Sequence, residues 1–141
     1  MGITQSGQGA VVKTTGNPDG FVILRGSRHG SNFDAASVQK TIDLMNAAKI
    51  PPAVMIDCSH ANSGSDHRRQ RAVWQAGLAL RANGMREVIG MMVESNLYEG
   101  KQSIATDRGQ LQYGVSVTDA CVGWDETVAM LEEVYHDVHS S

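Results

Sequence analysis

Ala53–His60 reads AVMIDCSH: four apolar residues in a row, then aspartate, cysteine, serine and histidine. An apolar run that short, with no polar alternation, suits a strand covered on both faces. That is the situation of a parallel sheet lying under helices. The polar residues then fall at the C-terminal end of the strand. Two other stretches repeat the pattern. Phe21–Leu24 (FVIL) stops at Arg25-Gly26, and Val88–Val93 (VIGMMV) stops at Glu94-Ser95-Asn96. Arg25 and His60 are 35 residues apart, and His60 and Glu94 are 34 apart. A near-constant interval of that size is a repeating βα unit that delivers one polar group per strand end. Barrels and open doubly wound sheets both bind ligands at that end, so spacing alone leaves the two open.

Between these runs the periodicity turns helical. In residues 34–49, Val38, Ile42 and Met45 share a face, Asp34 is placed to cap the N-terminus, and Pro51-Pro52 ends the helix. A second helix is predicted from Asp66 to Asn83, with Val73, Leu78 and Leu80 in the core and Gly84 just past its end. A third runs from about Asp125 to Val138, turning Val128, Leu131, Val134 and Tyr135 inward. The polar, glycine-containing stretch from Glu99 to Gly114 reads as a long loop. At the N-terminus, Ala10–Lys13, the turn residues Asn17-Pro18-Asp19-Gly20 and the FVIL run together predict a β-hairpin. The alternation of strand and helix makes residues 1–141 one α/β domain.

Composition excludes several classes. Charged residues are 19% of the 141 and hydrophobic ones 41%, a globular balance and not a disordered one. The net charge of −3 gives no footprint for nucleic acid or an anionic membrane, and neither is expected as a partner. The single basic run, His67–Arg71 (HRRQR), reads as a solvated helix face. Cys58 and Cys121 form no paired motif, so reduced thiols in a cytoplasmic protein are expected. Trp74 and Trp124 read as packing residues; His29, His67, His136 and His139 sit in polar surroundings and read as solvated. The N-terminus has no signal-peptide pattern, and the common nucleotide-binding, serine-hydrolase and zincin motifs are missing.

The residues left over carry the chemistry. Imidazole and two carboxylates, from His60, Glu94 and Asp119, suit a divalent transition metal such as Mn, Fe, Co or Zn. His60 by its spacing alone reads first as a half-buried histidine bonded to main chain, and Asp119, in SVTDA, reads equally as a helix cap. Glu94 is the more telling of the three, because a carboxylate straight after VIGMMV is costly to bury without a cation. Arg25, at the mouth of the sheet, is shaped for a phosphate or carboxylate, or for an ion pair with Asp57. Cys58 either presents its thiol beside His60 or fills the core.

Five stretches stand in a familiar order: FVILRG (21–26), VMIDCSHANS (54–63), GMMVES (90–95), EGKQS (99–103) and YGVSVTDACVGW (113–124). On these the chain resembles the C-terminal half of the class I 3-deoxy-arabino-heptulosonate 7-phosphate (DAHP) synthases. The resemblance implies the C-terminal portion of a (β/α)₈ barrel with an extra hairpin, placed at roughly residues 2–24. It implies condensation of phosphoenolpyruvate with erythrose 4-phosphate, a step of aromatic amino-acid biosynthesis, and a divalent metal held by His60, Glu94 and Asp119. Arg25 becomes a ligand of the phosphoenolpyruvate phosphate. The family's fourth metal ligand, a cysteine in a G-P-C-S segment, has no counterpart here, nor does its K-P-R-T segment. Neither Cys58 nor Cys121 matches it. The expectation is a part-barrel, inactive alone, whose open edge is covered by another copy or by an N-terminal half. The alternative is a non-catalytic half-barrel or split subunit that needs a complementary chain.

Overall fold

The three apolar runs pair side by side as one parallel sheet. In this computed structural model, residues 1–104 and 107–139 are described, with side chains through Tyr135. In chain order the elements are β1 (Gly2–Ile3), β2 (Gly9–Ala10), β3 (Val22–Leu24), α1 (Ala35–Ala47), β4 (Val54–Asp57), α2 (His60–Ser63), α3 (Gln70–Ala82), β5 (Val88–Met92) and α4 (Trp124–His139). The sheet order is β3-β4-β5, with Leu24 opposite Ile56 and Ile56 opposite Met91. The mixed α/β architecture with a parallel sheet is therefore as expected.

The strands are not equally covered. In β4, which has a neighbour on each side, Val54 and Ile56 have no exposed surface. The outer strands leave Val22, Ile23, Ile89 and Met92 exposed. Burial on both faces, expected for all three, holds for the central strand alone. Among the described residues nothing pairs along the far sides of β3 or β5 within the sheet. A further parallel bridge, Ser95 to Val122, forms just beyond β5.

The N-terminal hairpin differs from the one predicted. The antiparallel pair is β1 with β2, closed by a turn in which Thr4 N–H donates to Gln8 O at 2.9 Å. Asn17-Pro18-Asp19-Gly20 does turn, with Asp19 N–H donating to Asn17 Oδ1 at 3.0 Å, but residues 11–20 contain no strand. The FVIL run pairs with β4 instead. There one edge of its main chain is hydrogen-bonded and Leu24 is buried against the core.

Helix α1 forms as its sequence indicates. Val38, Ile42 and Met45 are buried, and Asp34 caps the end by accepting Ser37 N–H at 3.0 Å. The Ser37 hydroxyl (2.6 Å), and then that N–H, hold the Asp34 carboxyl below its ordinary range. Before α3 comes a 3₁₀ turn, His67–Arg69, capped by Asp66. Val73 is buried, Leu78 and Leu80 pack on the core partly exposed, and Gly84 follows the C-cap with φ 94°. In α4 the inward face is only partly the one expected, with Val134 packed on the core. Met130 is buried, while Leu131 and Tyr135 are more than half exposed. On the side of this helix facing α3, Arg71 pairs with both Glu126 and Glu133. Trp74 packs in the core as predicted; Trp124 does not and is 54% exposed. The side chains of His136 and His139 lie outside the described residues. Among the described residues no helix is long and apolar enough to cross a membrane.

Ile56 is the largest side chain with no exposed surface, at the centre of the middle strand. Ile56→Ala should cost about 2–5 kcal/mol, read as a shift of the denaturant midpoint at constant slope. A loss below about 1 kcal/mol would contradict this placement of the core.

Candidate metal centre

Because the strands end nearly level, the residues after them emerge at one edge. There, one ligand atom each from His60, Glu94 and Asp119 lie within 4.8 Å of one another. His60 and Glu94 are half-buried and Asp119 is exposed. His60 comes two residues beyond Cys58, which donates the last main-chain bond from this strand end to Met92 O at 2.9 Å. Glu94 lies just past β5. Asp119 is held by the loop that returns beside β5, where Cys121 bridges Gly100 and Val122 bridges Ser95. Asp119 lies five residues before α4, so the capping alternative does not hold.

The imidazole is oriented from behind. Asp57, buried at the end of β4, accepts a hydrogen bond from His60 Nδ1 at 2.9 Å and from Ser59 N–H at 2.8 Å. An ionised carboxylate accepts only, so in the neutral imidazole Nδ1 carries the proton and Nε2 is left to face the cluster, where Asp119 Oδ2 is 3.7 Å away. A carboxylate behind a histidine is the usual support of a metal-ligating imidazole. His60 holds φ at 52°, a left-handed conformation sparse for non-glycine residues. Such strain persists where the surroundings over-determine it, and it clusters at functional sites. One nitrogen and two carboxylates suit Mn, Fe, Co or Zn, so the donor set fits the expected ion.

Arg25 lies just past β3 on the same edge and is exposed. Asp57, the alternative partner for its charge, is instead engaged by Ser59 and His60. Behind Arg25 the chain turns tightly. Gly26 has φ 76°, donates to Asn32 Oδ1 at 2.7 Å, and has no room for a Cβ, which would sit 2.7 Å from Ala61 Cβ. Arg25 is thereby tied to the turn that carries His60.

Three supporting residues are not legible as such in the sequence. Asp57 reads there only as a counter-ion for Arg25. Asn62, buried within α2, donates to both Leu24 O and Asp57 O at 2.9 Å and accepts Asn32 N–H. It thus joins the ends of β3 and β4. Gln70 sits inside the basic run, where nothing local marks it; it is wholly buried and bonds the main chain of Glu94. The basic run itself is only partly solvated. Arg68 and Arg69 are exposed, but His67 is half-buried, 3.4 Å from Glu99. His29 is exposed beside Arg28.

Cys58 is a core residue with no exposed surface. Burial, with a smaller contribution from the Asp57 charge, pushes its thiol from 9.0 up to about 12. Its folded pKa exceeds the unfolded one, so its contribution to stability is full below pH 9 and is lost as pH rises toward about 12. Cys58→Ala should flatten the fall of stability with pH across that window, and iodoacetamide should leave native Cys58 unlabelled at neutral pH. Gly26→Ala should destabilise the protein by more than about 1 kcal/mol, seen as a lowered Tm, because both the φ and the contact are violated.

Known proteins resemble this chain in both sequence and fold. The DAHP synthetase I family model matches residues 2–132. The Tyr-sensitive phospho-2-dehydro-3-deoxyheptonate aldolase of Escherichia coli K12 is 47% identical over 139 residues, which is 99% of this chain and 39% of that protein. A putative phospho-2-dehydro-3-deoxyheptonate aldolase of Schizosaccharomyces pombe is 45% identical over 141 residues, 38% of its length. Among solved structures, the phospho-2-dehydro-3-deoxyheptonate aldolase of Francisella tularensis SCHU S4 superposes with TM-score 0.80 at 44% identity. It covers 92% of this chain and 37% of that one. The chain thus spans about two-fifths of the length of these relatives.

Proposed function

Because this chain belongs to the DAHP synthetase I family, we propose that it carries the metal-binding part of a DAHP synthase. That enzyme joins phosphoenolpyruvate to erythrose 4-phosphate and releases phosphate. The observation that carries this reading is the convergence of His60, Glu94 and Asp119 within 4.8 Å at the C-terminal edge of a parallel sheet. On this reading the sheet β3-β4-β5 belongs to a (β/α)₈ barrel whose active face is that edge. The open sides of β3 and β5 are where the remaining strands, or a second copy, would pair. The free thiols fit action in the cytoplasm.

Each residue then has a stated task. His60, through Nε2, Glu94 and Asp119 would hold the divalent ion. A bound ion supplies a Lewis acid for the aldehyde oxygen of erythrose 4-phosphate. Asp57 keeps His60 in the tautomer that leaves Nε2 free. Arg25 grips the phosphate of phosphoenolpyruvate in bidentate fashion and holds C3 of the enol toward the aldehyde, a positional contribution. Asn62 and Gly26 keep the distance between Arg25 and His60 constant while C3 attacks, water adds at C2 and phosphate leaves.

The test is phosphate release from the two substrates by the purified full-length protein. Chelator should abolish it and Mn²⁺ should restore it, while His60→Ala should lose at least about 100-fold with or without added metal. Arg25→Lys keeps the charge but loses the fork, and should raise KM for phosphoenolpyruvate about tenfold. Activity indifferent to chelator, or a His60→Ala protein as active as wild type, would overturn the reading. Residues 1–141 alone should bind the ion without turnover, since they hold three metal ligands and one phosphate-binding arginine.

A further inference from the structure

We propose that Gln70 is a positioning residue for Glu94, aiming its carboxylate into the cluster by gripping its main chain. The proposal rests on the metal reading above. Gln70 opens α3 and has no exposed surface. Both polar atoms of its side chain go to one residue, 24 positions away: Oε1 accepts Glu94 N–H at 2.8 Å, and Nε2 donates to Glu94 O at 3.1 Å. That two-bond pattern is what an adjacent strand would offer.

Glu94 needs such a partner. β5 ends at Met92, whose carbonyl accepts from Cys58 N–H at 2.9 Å, and Glu94 lies past that last bond to β4. On its other side, Val122 N–H donates to the same Glu94 carbonyl at 2.9 Å. The main chain of the ligand is therefore pinned between the start of α3 and the loop that carries Asp119. Pinning it sets the direction of the Cα–Cβ bond, from which the carboxylate must reach His60 and Asp119. Without Gln70 the Glu94 N–H is left without its partner, and the segment is free to shift.

The test uses the full-length protein with Co²⁺ as probe, reading its visible absorption band and its affinity by titration. Gln70→Met removes both hydrogen bonds at similar volume. Val73→Ala weakens packing on the same helix and removes no hydrogen bond to Glu94. The expected result is Co²⁺ binding about 10- to 100-fold weaker in Gln70→Met, with a shifted band. Val73→Ala, at equal or greater loss of Tm, should keep both wild-type properties. If Gln70→Met does not fold, Gln70→Glu is read in its place. It retains an acceptor for Glu94 N–H but no donor for the carbonyl, and it too should bind more weakly. Wild-type affinity and band in the Gln70 variant, or an equal loss in Val73→Ala, would overturn the proposal. A wild-type protein with no Co²⁺ band would overturn the metal reading itself, and this proposal with it.

Discussion

Everything at the candidate site depends on the parallel register of three strands. Leu24 stands opposite Ile56, Ile56 opposite Met91, and Asp57 opposite Met92. The strands therefore run out together, and the chain beyond each one turns at the same edge. Side chains alternate along a strand, so a slip of one residue would move Ile56 from the core face and carry Asp57 and the His60 turn out of reach of Glu94. Burial of Val54, Ile56 and Val88 opposes that slip, because each is fully enclosed in the present register. The hydrophobic core and the polar site are in this sense one constraint.

Register brings the strand ends together but does not orient the residues beyond them. Three buried polar side chains do that. Asn62 joins the last carbonyls of β3 and β4, Asp57 holds the imidazole of His60, and Gln70 holds the main chain of Glu94. Each is buried and each is satisfied on more than one atom, the condition under which buried polar groups rigidify a fold and do not weaken it. Asp119 is the least enclosed member of the cluster, held by a loop pinned just past β5 through Val122 and to Gly100 and Lys101 through Cys121 and Ser116.

The parts of this arrangement that are legible in the sequence are those with a local signature. Apolar runs ending in Arg25, Glu94 and the DCSH turn mark strand ends, and a spacing near 35 residues marks βα units. Val38, Ile42 and Met45 mark the buried face of α1 for the same local reason. The parts that escape are set by distant partners. The AVVK segment has strand-forming residues, yet FVIL is drawn away from it by pairing with β4. The inward face of α4 is set by where Met130 meets a core built from distant elements, so periodicity alone misplaces Leu131 and Tyr135. Gln70 looks like any helix-surface glutamine until Glu94 is placed beside it.

The central claim is that His60, Glu94 and Asp119 share one metal ion. The most direct measurement is anomalous diffraction at the manganese edge from crystals of the full-length protein grown with Mn²⁺. A single strong peak is predicted among His60 Nε2 and the carboxylates of Glu94 and Asp119, with Asp57 behind the imidazole and outside the ion's coordination. A peak elsewhere, or crystals that contain the ordered triad with no anomalous density between its members, would contradict the account.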